Sequence, residues 1–479
     1  MKKQQKLLSG IMALAMLSSL AACTDDNNSS TTTEGTTTTQ ATVAINSETL
    51  KEEEAEALNE AGSQLSDVTL ENKTIKWLAH YDINPDTTGK SKSTQLEMFE
   101  TKYGGNVQWY PTTYEARYTD LSNYILGGEG IDFFPGDDSY NFPKGIVSGM
   151  FQSVDDYVDL SSPLFAHTAP AYELFNFGGK HYQFVTEVTP FNVCFYNAAT
   201  IEEFGFDDPY ELWQDGKWNW DTFKEMLLEF VDEDAERYGL DEWYFERALT
   251  FSAGVPFVGL ENGNLVCNVN DPTIEKAMNF GYELYTNGLI YPFEQFGWST
   301  HGEFIGSGNE LFMIKGIWEI YANPEIWSNQ TAPEDLKFVP VPNPADSDRQ
   351  YQDVKIAGFA LCTGAQNPQG VSLFAECTIL STIDESIVEV NERKTKDDYG
   401  WTDFHIDAYN QILEIARQNP VMDFGDGCST DIASLCSGDH GYRNPFRGTD
   451  WATERETIAD TLTTLVAEID AELKAKMAE

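Results

Sequence analysis

Aromatic rings and carboxylates occur side by side in short polar segments of this 479-residue chain. Carboxylates accept hydrogen bonds from hydroxyl groups in pairs, and aromatic rings stack on flat apolar faces. A cleft that binds a hydroxyl-rich molecule such as a sugar needs both kinds of group. Two segments that each follow a predicted strand supply them, and their candidate binding residues are His80, Tyr81, Asp82, Asp137 and Asp138.

The elements around these segments alternate between strand and helix. Strands are predicted over 74–79, 107–110 and 131–134, and helices with one apolar face are predicted over 92–103 and 118–126. Such alternation predicts a parallel sheet with helical crossovers. Because ligands of these sheets bind beyond the carboxyl ends of the strands, we expect both candidate segments to line one cleft.

A long run of β-forming residues over 182–196 is broken near Thr189 and Pro190. This pattern predicts two strands that cross between two lobes, and Glu187 lies at the crossover. Further along the chain, strand 356–361 is predicted, Asn219 is predicted to cap a helix, and Trp77 is predicted to be core. Helices are also predicted over 371–379, 403–417 and 453–477. Glycine-rich polar loops add three candidate cleft residues, Trp298, Tyr442 and Arg443.

The composition excludes several classes of protein. There are 30 Lys and Arg against 78 Asp and Glu, a net charge of −48, and this charge repels nucleic acid. With 11 Trp, 22 Tyr and 29 Phe, the chain is no disordered acidic tail. After the N-terminal segment no apolar run is long enough to cross a bilayer, so we expect neither a channel nor a transporter.

The N-terminus has the pattern of an export signal. A basic start and an apolar stretch over 7–22 precede Cys23, and the sequence Leu-Ala-Ala-Cys at 20–23 resembles a bacterial lipobox. The resemblance implies a signal peptide over 1–22 that is cleaved before Cys23, and a lipid on that thiol. Residues 23–70 are predicted to be a disordered tether rich in Ser, Thr, Asn and Glu, with at most a marginal exposed helix over 48–61.

Six cysteines remain after Cys23, and an even number in an exported chain permits disulfides. The expected bridge joins Cys428 and Cys436, which are eight residues apart in a Gly/Ser/Asp-rich stretch. Buried free thiols are the equally open alternative. No Cys-x-x-Cys pair is present, and we expect neither a bound metal nor a cofactor.

Five short motifs follow one another behind the lipobox. They read Gly-Lys-His-Tyr at 179–182 leading to Phe-Tyr-Asn at 195–197, Phe-Gly at 204–205 with Pro-Tyr-Glu-Leu-Trp at 209–213, Lys-Trp-Asn-Trp-Asp-Thr-Phe at 217–223, the segment 309–318 ending in Gly-Ile-Trp, and Ala-Gln-Asn-Pro at 365–368. In this order they resemble the extracellular solute-binding proteins of ABC transporters. The resemblance is to family 1, the maltose-binding-like carbohydrate-binding lipoproteins, and it covers the chain from about residue 74 to the C-terminus.

This resemblance implies an α/β fold of the periplasmic-binding-protein-like type II. Two α/β lobes would be joined by crossing hinge segments with a ligand cleft between them. Lobe 1 would comprise 71–189 plus about 358–395, and lobe 2 would comprise 190–357 plus about 396–479. Trp318 occupies the position at which the family stacks a ring on a sugar, and Glu319 follows it.

The implied function is that of a substrate-binding lipoprotein of an ABC importer. It would capture a carbohydrate, most simply an oligosaccharide, and deliver it to the transmembrane subunits of a permease. The protein would be a monomer held at the outer face of the bacterial cytoplasmic membrane by its N-terminal lipid alone.

Two alternatives stay open from the sequence. One is a surface glycan-binding receptor that is not coupled to transport. The other is a surface glycoside hydrolase, which needs two carboxylates about 5 to 9.5 Å apart. Because the chain has 78 acidic residues, the presence of two carboxylates does not by itself indicate a hydrolase. The sequence has no Gly-x-Ser-x-Gly, His-Glu-x-x-His, Walker A or Gly-x-Gly-x-x-Gly motif, so we expect no catalytic residues and no enzyme.

Overall fold

The computed structural model describes residues 47–84, 91–137, 140–241, 245–291, 302–317, 332, 334–438 and 440–478. The signal segment 1–22, Cys23 and the first part of the predicted tether therefore lie outside the described residues. The strands are β1 (Thr74–Ala79), β2 (Asn106–Pro111), β3 (Phe133–Pro135), β4 (Gln183–Pro190), β5 (Asn192–Asn197), β6 (Tyr238–Asp241), β7 (Val258–Glu261), β8 (Asn264–Cys267), β9 (Glu310–Gly316), β10 (Leu336–Val339), β11 (Gln352–Leu361) and β12 (Pro420–Val421).

Helices surround these strands. They are α1 (Ser47–Gly62), α2 (Thr94–Tyr103), α3 (Arg117–Gly127), α4 (Lys144–Val147), α5 (Pro163–Glu173), α6 (Ala198–Phe204), α7 (Pro209–Gln214), α8 (Trp220–Phe230), α9 (Phe245–Phe251), α10 (Pro272–Thr286), α11 (Gly302–Ser307), α12 (Pro368–Ile383), α13 (Glu385–Tyr399), α14 (Asp403–Gln418), α15 (Gly425–Cys428), α16 (Thr430–Ser437) and α17 (Trp451–Met477). None of the helices in the described part of the chain is long and apolar enough to span a membrane.

The first sheet contains six strands in the order β12-β11-β3-β1-β2, with β4 also paired to β11. Strand β1 runs parallel to β2 and β3, as predicted from the alternating pattern. Strand β11 runs antiparallel to both β3 and β4, so the sheet as a whole is mixed. The ends of β1 and β3 and the middle of β11 therefore meet at one edge.

A second sheet has the order β10-β5-β9-β6, and β7 and β8 form a separate hairpin. Strand β4 belongs to the first sheet and β5 to the second, with only Phe191 between them. The predicted break in the run 182–196 is thus confirmed as a crossing between sheets. A second crossing connects β10 to β11, between Val339 and Gln352. The residue boundaries of two lobes are not tested by these observations and stay a prediction.

Local signals in the sequence explain the helix boundaries. Helix α2 ends at Tyr103 and is capped by Gly104, which has a left-handed conformation (φ 61°) and donates its N–H to the carbonyl of Glu100. Asn219 caps α8 as predicted, because its side chain accepts hydrogen bonds from the backbone N–H groups of Asp221 and Thr222. Trp77 is buried in the core, which confirms that prediction.

The N-terminal helix α1 corrects the predicted start of the folded body. Residues 47–70 were expected to belong to the tether, but Ala57, Ala61 and Leu65 are buried in the main hydrophobic core. Helix α1 packs against α13 and α2. Glu53 and Glu54 form ion pairs with side chains of α13. The apolar face of α1 is built largely from alanines, and for this reason it gives a weak periodic signal.

The expected Cys428–Cys436 bridge is wrong in this structure. Both residues are buried free thiols. Burial raises the pKa of both thiols above the ordinary value, so the neutral form prevails. The two cysteines lie on the adjacent short helices α15 and α16, and the nearby carboxylates of Asp423 and Asp426 add to the rise in the pKa of both thiols.

Candidate ligand-binding site

Two neighbouring cavities lie where the first sheet meets the crossing segments, and Asp137 lines both. We call the first the crossing cavity, which comprises about 410 Å³ of empty space that includes open solvent at its mouth. We call the second the aromatic cavity, which comprises about 540 Å³ on the same measure. The crossing cavity is lined by Gly136, Asp137, Phe142, Phe175, Phe191, Arg247, Val354, Lys355, Ile356, Met422 and Asp423. The aromatic cavity is lined by Trp77, Tyr81, Ile83, Gln95, Asp137, Thr186, Ala357, Gly358, Phe359 and Phe374.

A β-bulge positions Asp137. The pairing of β11 with β4 shifts register between Ala357 and Gly358. Gly358 has φ 142°, and a Cβ atom there would lie 1.9 Å from the carbonyl oxygen of Phe184. Gly136 in turn donates its N–H to the carbonyl of Gly358 at 2.9 Å. The close backbone approach fixes the residue before Asp137, as bulges beside functional sites commonly do.

The aromatic cavity combines apolar walls with a few polar groups. The ring centroids of Trp77 and Tyr81 are 5.6 Å apart, and those of Trp77 and Phe359 are 6.2 Å apart, both edge to face. Gln95 is only 2% exposed, yet its amide oxygen Oε1 has no hydrogen-bond partner among the described residues. A buried acceptor that lacks a partner costs free energy, which a hydroxyl donor in the cavity would recover.

The crossing cavity contains a buried ionic network. Arg247 donates from Nη1 to Asp426 at 2.7 Å, while its Nε is buried without a hydrogen-bond partner in the described part of the chain. Asp423 accepts hydrogen bonds from the Tyr442 hydroxyl at 2.6 Å and from the Val258 N–H at 3.0 Å. Burial raises the pKa of Asp423, and Arg247 opposes this shift.

The structure brings some predicted residues together at the cavities. Asp137 lines both cavities, and Tyr81 lines the aromatic one. His80 lies beside them, with its ring edge to face on Tyr81 at 5.1 Å. Asp82 serves its own turn instead, because its Oδ1 accepts hydrogen bonds from the backbone and side-chain amides of Asn84 at 2.9 and 2.8 Å.

Three predicted residues have other contacts. Glu187 is buried at the crossover, and Arg417 holds both of its carboxylate oxygens. Tyr442 was expected to face the cleft but is 2% exposed, with its ring stacked on Phe257 at 3.9 Å. Arg443 is exposed, and its Nε lies 4.0 Å from Glu246. The buried ring of Tyr442 supports the ionic network from within the core, so the expectation that it faces the cleft is not met.

Four predicted ligand residues lie outside the described residues. They are Asp138, Trp298, Trp318 and Glu319. Their contacts to a ligand stay predictions from the sequence.

Sequence reasoning missed Gln95, Thr186 and Arg247. Gln95 is the second residue of α2, a helix that begins at the edge where β1 ends, and this position was the available signal. Thr186 lies in the crossing strand β4, where every residue is buried and the pattern distinguishes no face. Arg247 belongs to no recognisable motif, so the sequence gives no signal that it lines a cavity.

No protein-family model matches the sequence, and no curated protein matches it. Solved structures do match. An ABC transporter associated binding protein from B. animalis subsp. lactis Bl-04, in complex with beta-1,6-galactobiose, is 18% identical with a TM-score of 0.57, over 83% of this chain and 98% of that chain. The GacH receptor of Streptomyces glaucescens GLA.O, solved unliganded and with acarbose, is 16% identical with a TM-score of 0.56, over 82% and 98%.

An ABC substrate-binding protein from Listeria monocytogenes, in complex with cycloalternan, is similar to the same extent. It is 14% identical with a TM-score of 0.57, over 82% of this chain and 99% of that chain. At such identities the likeness establishes the fold. The chain therefore has the α/β, type II periplasmic-binding-protein-like fold, and the predicted fold class is confirmed.

Proposed function

We propose that this chain is the substrate-binding subunit of an ABC importer and that it captures a carbohydrate outside the membrane. The observation that carries the proposal is the pair of cavities that meet at Asp137, between the first sheet and its crossing segments. An unpartnered amide oxygen, a carboxylate and several aromatic rings converge there, and these groups match the hydroxyls and apolar faces of a sugar.

The fold supports this function by analogy with its structural neighbours. The similar structures include ABC transporter binding proteins, and their ligands include beta-1,6-galactobiose and cycloalternan. Carried over to this chain, the analogy proposes a carbohydrate, most simply an oligosaccharide, as ligand and a transmembrane permease as partner. On the same analogy, the chain would bind the carbohydrate without cleaving its glycosidic bonds.

Closure of two lobes is the proposed mechanism. The backbone crosses between the sheets at Phe191 and again between β10 and β11, and a rotation about these segments would close the cavities around the ligand. A ligand shifts the open-to-closed equilibrium only through contacts that are stronger in the closed form. Such contacts would come from the groups that surround Asp137.

Attachment to the membrane would rest on the lipid at Cys23 and on the chain that follows it. Because α1 packs on the body, the proposed tether shortens to residues 23–46. We propose that the body is a monomer held close to the outer face of the cytoplasmic membrane.

A thermal-shift screen of residues 47–479 tests the proposal. The screen would use malto-, xylo-, manno-, galacto- and fructo-oligosaccharides, with amino acids and short peptides as controls. A ligand that binds only the folded state raises the unfolding midpoint, and a hundredfold excess over Kd adds about 2.7 kcal/mol.

Two readouts separate the candidate functions. A shift with one sugar series, together with an intact sugar after overnight incubation, supports a binding protein. Disappearance of the sugar would show a hydrolase. If no sugar changes the unfolding midpoint and one of the controls raises it, the ligand belongs to another class.

A further inference from the structure

Four aromatic and cationic side chains form an ordered cluster outside the cavities. The guanidinium of Arg117 lies 3.7 Å from the ring centroid of Tyr114, 4.6 Å from that of Tyr118 and 5.6 Å from that of Tyr140. Arg117 is buried and also donates a hydrogen bond to the carbonyl of Tyr114. Tyr118 is held by a hydrogen bond to Asn141 at 2.9 Å. We call Tyr114, Arg117, Tyr118 and Tyr140 the tyrosine platform.

Two rings of the platform face solvent. Tyr114 is 43% exposed and Tyr140 is 41% exposed, which places both among the large exposed hydrophobic residues. Stacking on Arg117 already orders these rings, so a ligand that stacks on them loses little further side-chain entropy. An ordered, exposed pair of tyrosines is thus suited to bind flat apolar faces.

A row of aromatic rings connects the platform to the aromatic cavity. Tyr81 lines the cavity, His80 packs edge to face on Tyr81 at 5.1 Å, and the ring of Tyr114 packs edge to face on His80 at 5.4 Å. Each step is a direct ring contact. The row therefore leads from the aromatic cavity to the exposed ring of Tyr114 through direct contacts.

We propose that the tyrosine platform is an outer subsite for a chain of sugar units whose inner unit occupies the cavities. This inference rests on the proposed function and adds where the rest of the ligand binds. Neither Tyr114 nor Tyr140 lines a cavity, so we expect a single sugar held there to leave both rings uncovered. A chain that leaves the cavities along the aromatic row would meet Tyr114, and Tyr140 contacts the same Arg117 guanidinium. The tyrosine hydroxyls would provide hydrogen bonds beside the stacking faces.

The test measures affinity as a function of ligand length. Within the sugar series that shifts the unfolding midpoint, titration calorimetry would compare the monosaccharide and disaccharide with the pentasaccharide and hexasaccharide. We expect Tyr114→Ala and Tyr140→Ala each to weaken binding of the long members on the order of tenfold, and to change binding of the short members less than about twofold. Tyr114→Phe keeps the ring and should retain most of the affinity for long members.

Matched controls come from exposed tyrosines elsewhere. Tyr157 is 38% exposed and Tyr285 is 46% exposed, and neither belongs to the platform. Tyr157→Ala and Tyr285→Ala should leave binding of every length unchanged. Unfolding midpoints of all variants would verify that each is folded.

The outcomes distinguish this inference from the proposed function. Sugars that bind with the same affinity at all lengths, or platform variants that lose short and long ligands equally, would overturn the outer subsite while the carbohydrate function stands. Binding of none of the sugars would refute the proposed function itself. A loss confined to long sugars, with unaffected controls, supports the subsite.

Discussion

Arg417 donates two parallel hydrogen bonds to Glu187, from Nε to Oε1 at 3.0 Å and from Nη2 to Oε2 at 2.9 Å. The pair connects helix α14 to strand β4 shortly before the chain crosses to the second sheet at Phe191. Charge-assisted bidentate pairs of this kind fix orientation as well as contribute energy. The crossing segment is therefore anchored on its first-sheet side by residues that are far apart in the sequence.

The Glu187–Arg417 pair allows the ligand role predicted for Glu187 to be separated from a structural role. Arg417→Gln should lower the free energy of unfolding by roughly 2 to 4 kcal/mol, because it leaves the buried carboxylate of Glu187 without its partner. Glu187→Gln should cost less, because the Arg417 side chain that it leaves behind is partly exposed to water. Urea unfolding measures this effect. If the role of Glu187 is pairing alone, neither variant changes sugar affinity, whereas a weaker affinity for Glu187→Gln only would show direct contact with the ligand.

Asp137 should be central to ligand affinity because it lines both cavities. Asp137→Asn is expected to weaken sugar binding by about 1.5 to 3 kcal/mol, the typical contribution of a hydrogen bond to a charged group. Asp82→Asn is the matched control, since asparagine can make the same turn with Asn84. Calorimetric titration that finds equal losses for both variants would contradict the assignment of Asp137.

Gln95 should affect stability and binding in opposite directions. Gln95→Leu removes a buried oxygen that has no partner among the described residues, so we expect the ligand-free protein to gain about 1 kcal/mol of stability. The same variant should lose about 1 to 2 kcal/mol of binding free energy, because a sugar hydroxyl then lacks its acceptor.

Gln183 provides the control for Gln95. It is also buried and its Oε1 likewise has no partner among the described residues, but its Nε2 donates to the Ile356 carbonyl at 2.7 Å, a hydrogen bond that leucine would remove. Gln183→Leu should therefore destabilise the protein by about 1 to 3 kcal/mol. Thermal unfolding of the ligand-free variants decides the point, and a destabilised Gln95→Leu would show that the amide has a structural partner.

Helix α1 should contribute to the stability of the body. Ala61 is fully buried, whereas Ala55 on the same helix is exposed. Ala61→Glu is expected to lower the free energy of unfolding by about 2 to 4 kcal/mol, because a charge is forced into an apolar contact. Ala55→Glu should be neutral within about 0.5 kcal/mol. Equal unfolding midpoints for the two variants would mean that α1 does not pack on the body in solution.

Asp353 gives the protein a pH-dependent stability. Burial raises the pKa of Asp353 from 3.8 to about 6, even though its carboxylate accepts hydrogen bonds from Asn192 at 2.5 Å and Gln352 at 2.8 Å. A raised pKa in the folded state means that the protonated acid is favoured by folding. This stabilising contribution is present below about pH 4 and is lost as the pH rises through about 6.

The predicted size of this effect is on the order of 3 kcal/mol, at about 1.4 kcal/mol per pKa unit. The asparagine of Asp353→Asn cannot ionise. The free energy of unfolding of the wild type should therefore fall relative to that of this variant as the pH rises from 4 to 7. Urea unfolding at several pH values measures it. A difference that is independent of pH would show that Asp353 keeps an ordinary pKa.

Local patterns predicted much of the fold. The apolar periodicity over 403–417 and 453–477 gave α14 and α17 within two residues, and the break at Pro190 gave the crossing from β4 to β5. Asn219 was recognised as a cap because capping depends on residues two and three positions away. Such features are encoded within a few residues, so a single sequence contains them.

The site was less predictable because its contacts span the chain. Glu187 meets Arg417 from 230 residues away, and the environment of Tyr442 depends on Phe257 and Asp423. Gln95 is distinguished only by the hydrogen bond that it does not make, which no sequence pattern shows. Asp137 and Tyr81 were found because the ends of adjacent parallel strands must meet.

Strand β11 has a consequence for the order in which the protein can assemble. Phe133 pairs with Leu361 and Gln183 pairs with Ala360, so the first sheet gains its central strand only after most of the chain has been synthesised. Until then β3 and β4 expose unpaired edges, and a nascent chain with such long-range closure folds slowly. A polypeptide that must thread through a secretion channel before it folds benefits from this delay. For the exported chain that we propose, the late strand would leave an interval before folding in which the chain can cross the membrane.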